Sequence, residues 1–206
     1  MSEDQQEKKS PVQTPAFTPI DQHLFESRTI FVSGEVDSEL AVKVNRQLLA
    51  MERANPTAPI VLWIDSPGGE IHSGFSMYDT AQFIQPRVIT LVVGLAASMG
   101  SVISLCAEKE DRLCFPNSKF LIHQPLISGV MRGQASDLAI HAQDIIETKK
   151  KLHRLYADRS GTAIEKFVEY MERDKWLNPK DAIELGLISK VIANRKELES
   201  HMNAKR

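Results

Sequence analysis

The chain has 206 residues, of which 25% are charged and 42% hydrophobic, and its formal net charge is -2. Such a chain is long enough to bury a core of its own. Its net charge gives no electrostatic argument for binding nucleic acid or an anionic membrane, and no apolar run reaches the ~20 residues of a membrane span.

The first 22 residues, MSEDQQEKKSPVQTPAFTPIDQ, are polar and carry Pro11, Pro15 and Pro19. They lack the apolar h-region of a secretory signal. The composition predicts a flexible or extended arm over residues 1–24, and a cytoplasmic location by default. A main domain over 25–193 and a polar, fraying tail over 194–206 complete the expected organisation. Cys106 and Cys114 form no CxxC and are too few for a disulfide framework, so reduced, partly buried thiols are expected.

From residue 28 the pattern alternates. RTIFVSG (28–34) reads as a short strand. Asp37 is placed to cap a helix on which Leu40, Val44, Leu48 and Met51 recur at helical spacing. IVLWID (60–65) is a strand-length apolar run and SPGGE reads as a tight loop. Residues 71–85 read as a helix stopped before Pro86. VITLVV (88–93) is the next strand, and a helix is expected from Ser98 to about Lys109. RLCF and FLIH are short strands around a PNSK turn. Apolar strands separated by helices predict an α/β fold with a mostly parallel sheet covered on both faces.

Beyond residue 133 one long helix is expected, capped by Ser136 and closed at Gly161. Its apolar stripe is Leu138, Ala142, Ile145, Ile146, Leu152, Leu155 and Tyr156. It could lie along its own domain or project towards a partner. Thr162 and Glu165 read as a capping box, Asn178-Pro179 opens a short helix closed by Gly186, and LISKVI (187–192) reads as a last strand.

Three features could carry chemistry. In GLAASMGS (94–101), Ser98 stands where a strand gives way to a helix, among side chains small enough for a tight turn and close substrate approach. In SPGG (66–69), two glycines can turn backbone N–H groups towards an oxyanion. In FLIHQP (120–125), His123 ends a strand, where an imidazole can act as a general base. Each also has a plain structural reading: a helix cap, a β-turn, a structural hydrogen bond. The other histidines have no ligand-like spacing, so no metal is expected. A serine nucleophile needs a base, and the base an orienting acid. Asp137, Asp144, Asp158, Asp174 and Asp181 are all candidates, and sequence physics alone does not choose.

WIDSPGGEIHSGFSMYDTAQFI, GLAASMGS, PNSKFLIHQP, GQASDLAIHA and ERDKWLNPKDAIELGLI stand in order between Phe25 and Ile192. Together they closely resemble the proteolytic subunits of Clp protease (ClpP), serine peptidases with the ClpP/crotonase-like fold. The resemblance implies Ser98 as nucleophile, His123 as base and Asp174 as orienting acid. It implies an oxyanion hole from the backbone N–H groups of Gly69 and Met99, and no cofactor in the chemistry. It also implies self-association into stacked seven-membered rings, a tetradecamer, with Gln134 to Arg159 as the "handle" between rings. An AAA+ unfoldase of the Clp type would deliver unfolded polypeptide, use the ATP, and dock in pockets whose aromatics correspond to Trp63 and Phe83. Val61 replaces an aromatic common there.

The chain departs from the family in its first 27 residues, in the longer ISGVMRG stretch (127–133), and at Asp65, where Asn is common. Two other readings compete. A crotonase-like enzyme acting on a coenzyme A thioester would not need Ser98, His123 and Asp174 together. An inactive or partner-dependent ring subunit of a mixed complex would carry the residues without the geometry.

Overall fold

The apolar runs of the sequence lie side by side in one sheet. The computed structural model describes residues 18–126 and 133–204. Strands β1 (Thr29–Val36), β2 (Ile60–Gly69), β3 (Val88–Ala97), β4 (Arg112–Cys114) and β7 (Lys190–Val191) pair in parallel in that order. The crossovers are α2 (Ser38–Ala54), α3 (Ile71–Phe83) and the short α4 (Met99–Ser104). The parallel α/β architecture is therefore the one the alternation predicts.

Strand β3 has two neighbours on its far side. Thr90 to Val92 pair with β4, while Leu95 to Ala97 pair with β5 (Lys119–Ile122). Strand β6 (Lys175–Leu177) then runs antiparallel to β5. This fork carries the ends of β3, β5 and β6 to one place.

Alternation along β1 to β3 feeds two cores. Ile30, Val32, Leu62, Ile64 and Val92 pack in the larger one, beneath α2, α3 and α4. Val61, Ile89, Leu91 and Leu113 face the other side, where Leu198 of α8 (Arg195–Asn203) covers them and is only 3% exposed. Burying such a side chain contributes roughly 1.5–3 kcal/mol. Helix α8 replaces the expected fraying tail: Asn194 caps it, accepting from the Glu197 N–H at 3.1 Å, and its apolar side gives it somewhere to dock. His201 Nε2 and the buried Asp111 carboxylate meet at 2.7 Å and tie it down.

Other local expectations are corrected by competing hydrogen bonds. Residues 19–24, expected in a polar arm, belong to α1 (Pro19–Glu26), which Thr18 and Asp21 start with a reciprocal capping box. SPGG continues β2 rather than looping: Ser66 stands opposite Ala96, and Gly68 and Gly69 opposite Glu35 and Val36. Helix α4 stops at Ser104, well short of Lys109. The carbonyls beyond it are taken by side chains: Arg159 Nε donates to Leu105, Gln82 to Cys106 and Arg112 Nε to Ala107. Leu187 and Ile188 turn back onto the Ala182 carbonyl, leaving two residues for β7.

The long helix α5 (Ala135–Ser160) has 26 residues, about 39 Å at 1.5 Å per residue. Gln134, not Ser136, holds the cap position, and Gly161 closes it at φ 77°. Residues 135–144 are exposed throughout, and burial starts in earnest at Leu152. The first half of α5 thus projects from its own domain. Thr162 does not cap α6 (Ile164–Tyr170), because its hydroxyl donates to the Leu185 carbonyl at 2.9 Å. Asn178 does cap α7 (Pro179–Glu184), with Asp181 completing a capping box. The ISGVMRG stretch and the first 17 residues lie outside the described residues, apart from Gly133.

Candidate active site

Ser98 follows the last residue of β3 and precedes α4. It is one of two non-glycine residues at positive φ among the described residues, at φ 51° and ψ -121°. Such backbone is costly, and here it is held from both sides. Its N–H donates to the Leu121 carbonyl of β5 at 2.9 Å, and its carbonyl accepts from Ser101 N and Ser101 Oγ at 3.0 and 2.7 Å. The small residues around it are required. A Cβ on Gly68 would lie 2.6 Å from Ser98 Cβ, and one on Gly100 2.8 Å from the Ser66 carbonyl. Ser66 pins the glycine strand in turn, donating its hydroxyl to Gly34 O at 2.6 Å and accepting from Gly68 N at 3.1 Å.

Asp65 has a structural role. Its carboxylate accepts from the Leu95 N–H at 2.9 Å where the β2–β3 register shifts, and it occupies the space that a side chain on Gly94 would fill.

The register then aligns the chemistry. Ala97 stands opposite Leu121, so Ser98 and His123 leave adjacent strand ends on one side. Ile122 stands opposite Lys175 in the antiparallel β5–β6 pair, so continuing the ladder by one residue sets Asp174 beside His123. By that register Asp174 is the acid next in the ladder to His123. Asp174 is exposed. Ser98 and His123 line one cavity of about 610 Å³ together with Gly69 and Met99.

Ser98 and His123 share the cavity lining, but no hydrogen bond joins the side chains of Ser98, His123 and Asp174 among the described residues. His123 Nδ1 instead lies 2.6 Å from the Gln124 carbonyl. A carbonyl only accepts, so Nδ1 is the donor, and in the neutral ring Nε2 then keeps its lone pair. That is the tautomer a general base needs. The turn bearing Asp174 is tied to this region: Gln124 N donates to Met171 O at 2.7 Å and Gln124 Nε2 to Glu172 O at 2.9 Å. Lys149 of α5 donates to the Glu172 carboxylate at 2.8 Å and holds it below the usual carboxylate range.

The cavity floor comes from α4 and α5. Val102, Leu152 and Tyr156 line it and are nearly or fully buried. Tyr156 hydrogen-bonds Ser101 and stacks on Phe167 with ring centroids 5.4 Å apart; burial pushes its phenol well above the usual range. In the sequence Leu152 and Tyr156 are only part of an apolar stripe. Nothing local says that they meet a serine more than fifty positions away. Glu35, Glu70 and His72 also line the cavity.

Trp63 and Phe83 are not brought together within the subunit. Trp63 packs on Phe31 and Phe115, at 5.9 and 5.5 Å between centroids, beside a cavity of about 230 Å³ that includes Ile192 and Leu198. Phe83 is 80% exposed at the end of α3. Among the described residues no group of His, Cys, Asp and Glu could hold a metal ion, and no helix is long and apolar enough to cross a membrane. Cys106 and Cys114 are free and buried.

Comparison with known proteins gives a family. Residues 13–195 match the family model described as Clp protease. "ATP-dependent Clp protease proteolytic subunit 1" of Protochlamydia amoebophila is 41% identical over 192 residues, covering 93% of each chain. "ATP-dependent Clp protease proteolytic subunit 2" of Treponema denticola is 44% identical over 86% of this chain and 88% of its own. "ATP-dependent Clp protease proteolytic subunit 3" of Rhizobium meliloti is 40% identical over 95% of this chain and 98% of its own. The family match spans the sheet, the Ser98 turn and the long helix, and each relative matches along most of its length, so the chain belongs to the Clp protease family.

Proposed function

We propose that this subunit is a serine endopeptidase that hydrolyses unfolded polypeptide as the proteolytic part of an ATP-dependent Clp protease. The observation that carries the reading is the convergence of Ser98 and His123 on one cavity, with Asp174 next in register. His123 Nε2 takes the proton from Ser98 Oγ as the oxygen attacks a peptide carbonyl. The N–H groups of Gly69 and Met99 hold the developing oxyanion; removing one such donor typically costs ~2.7–4 kcal/mol of barrier. The imidazolium then protonates the leaving amine. Water, deprotonated by His123, hydrolyses the acyl-enzyme. Asp174 steadies the imidazolium once its carboxylate replaces the Gln124 carbonyl at Nδ1. The chemistry uses no cofactor and no metal; ATP belongs to the partner.

The projecting half of α5 supports self-association, since Ile140 and Ile146 are 67% and 47% exposed on it. Stacked seven-membered rings in the cytoplasm, fed by an AAA+ unfoldase, are the assembly we assign. Trp63 and Phe83 would share a docking pocket only where two subunits meet.

The test is intact mass after treatment with a fluorophosphonate, on wild type and Ser98→Ala. A single adduct on the wild type alone is the expected result. Equal labelling of Ser98→Ala, or peptide hydrolysis surviving in it, overturns the assignment.

A further inference from the structure

The cavity around Ser98 has a lining of two kinds. Ile71, Met99, Val102, Leu152 and Tyr156 are apolar or aromatic. Glu35, Glu70 and His72 are polar, and no Lys or Arg lines the cavity among the described residues. All three rim residues are exposed. Glu35 lies on β1 opposite Gly68, the residue packed against Ser98, so it stands one strand spacing, about 4.8 Å, from the glycine strand. Glu70 follows Gly69 directly, and the Ser73 hydroxyl holds its carboxylate at 2.5 Å. Neither carboxylate has an ion-pair partner among the described residues, and Glu35 has no hydrogen-bonded partner there either. Fold stability therefore gives no reason for Glu35 to be acidic.

We propose that this acidic rim selects substrate: polypeptide whose Lys or Arg side chain flanks the apolar residue that enters the recess over Leu152 and Tyr156. The inference rests on the protease reading of the same cavity and adds its substrate preference. Two carboxylates against one imidazole leave the rim acidic, and a concave wall concentrates that field. A partly exposed pair of opposite charges is worth about two- to fivefold in affinity. Two carboxylates together therefore favour a Lys-flanked over a Glu-flanked peptide by about tenfold.

The test is a set of fluorogenic peptides sharing one apolar residue and flanked by Lys, Gln or Glu. Hydrolysis is measured on the wild type and on Glu35→Gln, Glu70→Gln and the double variant. Binding of the same peptides to Ser98→Ala is followed by fluorescence anisotropy. Gln at position 70 keeps an acceptor for Ser73. The expected result is kcat/KM in the order Lys, Gln, Glu, with the Lys-to-Glu ratio falling towards one in the double variant. The ratio also falls between about 20 and 500 mM salt, as the screening length shortens from about 20 to about 4 Å. Hydrolysis with no order among the peptides, or an order that survives in the double variant, overturns the inference and leaves the protease reading intact. No hydrolysis, with the Lys preference retained in binding, overturns the protease reading and keeps the acidic cleft. Loss of both overturns both.

Discussion

Gly68→Ala tests whether the turn at Ser98 is set by close packing of bare backbone. The added Cβ would meet Ser98 Cβ at 2.6 Å, Ala97 O at 2.7 Å and Met99 N at 2.8 Å. Carbon atoms pack at about 3.5–4.0 Å, so the serine turn or the glycine strand must move by about 1 Å. Displacing a reacting group by that distance costs on the order of 10²-fold in rate, about 2.7 kcal/mol of barrier. Gly68 also sits at φ 92°, where a side chain adds ~1–3 kcal/mol of strain, and overpacking a tight site adds a similar amount. We expect kcat/KM on a fluorogenic peptide, and the rate of fluorophosphonate labelling, to fall about 100-fold. The folded population should survive, with a lower thermal midpoint. Wild-type labelling kinetics in a folded Gly68→Ala protein would refute the reasoning, because the turn would then tolerate what the geometry forbids.

Two further outcomes follow from burial. His153 on α5 is only 5% exposed, its Nε2 has no hydrogen-bonded partner among the described residues, and burial, with Lys149 beside it, pushes its pKa below the usual 6.5. As pH falls below about 6.5 the unfolded chain gains a proton that the folded one refuses, so stability is lost on acidification. His153→Gln should flatten the fall in urea midpoint between pH 7 and pH 5; an unchanged slope contradicts this. Burial also pushes the Cys106 and Cys114 thiols up to about 12, which leaves almost no thiolate at pH 8. Iodoacetamide should leave the native protein unmodified by mass and add two groups in urea; rapid labelling of the native protein contradicts it.

Local chemistry decided much of this protein without help. The alternation of apolar strands and capped helices gives the parallel sheet, because each run must bury its faces at its own period. Asp37, Asn178 and Gly161 mark helix ends because a carboxylate, an amide or a missing Cβ acts within a few residues. Ser98, the glycines and His123 stand out because tight turns restrict side-chain size, and because the motifs around them resemble one family. What lies across the chain was not legible. Local physics did not choose Asp174 among five acids; only the family resemblance implied it, and its place next in register to His123 comes from the pairing of β5 with a strand more than fifty residues away. Helix α4 ends at Ser104 because side chains from distant segments, Gln82, Arg112 and Arg159, claim the next carbonyls. The polar tail becomes α8 because Leu198 finds the apolar face left open by β2 and β3. The acidic rim of the cleft brings Glu35 from β1 to the edge of α3, where Glu70 and His72 stand, a juxtaposition that exists only when strands far apart in sequence lie side by side.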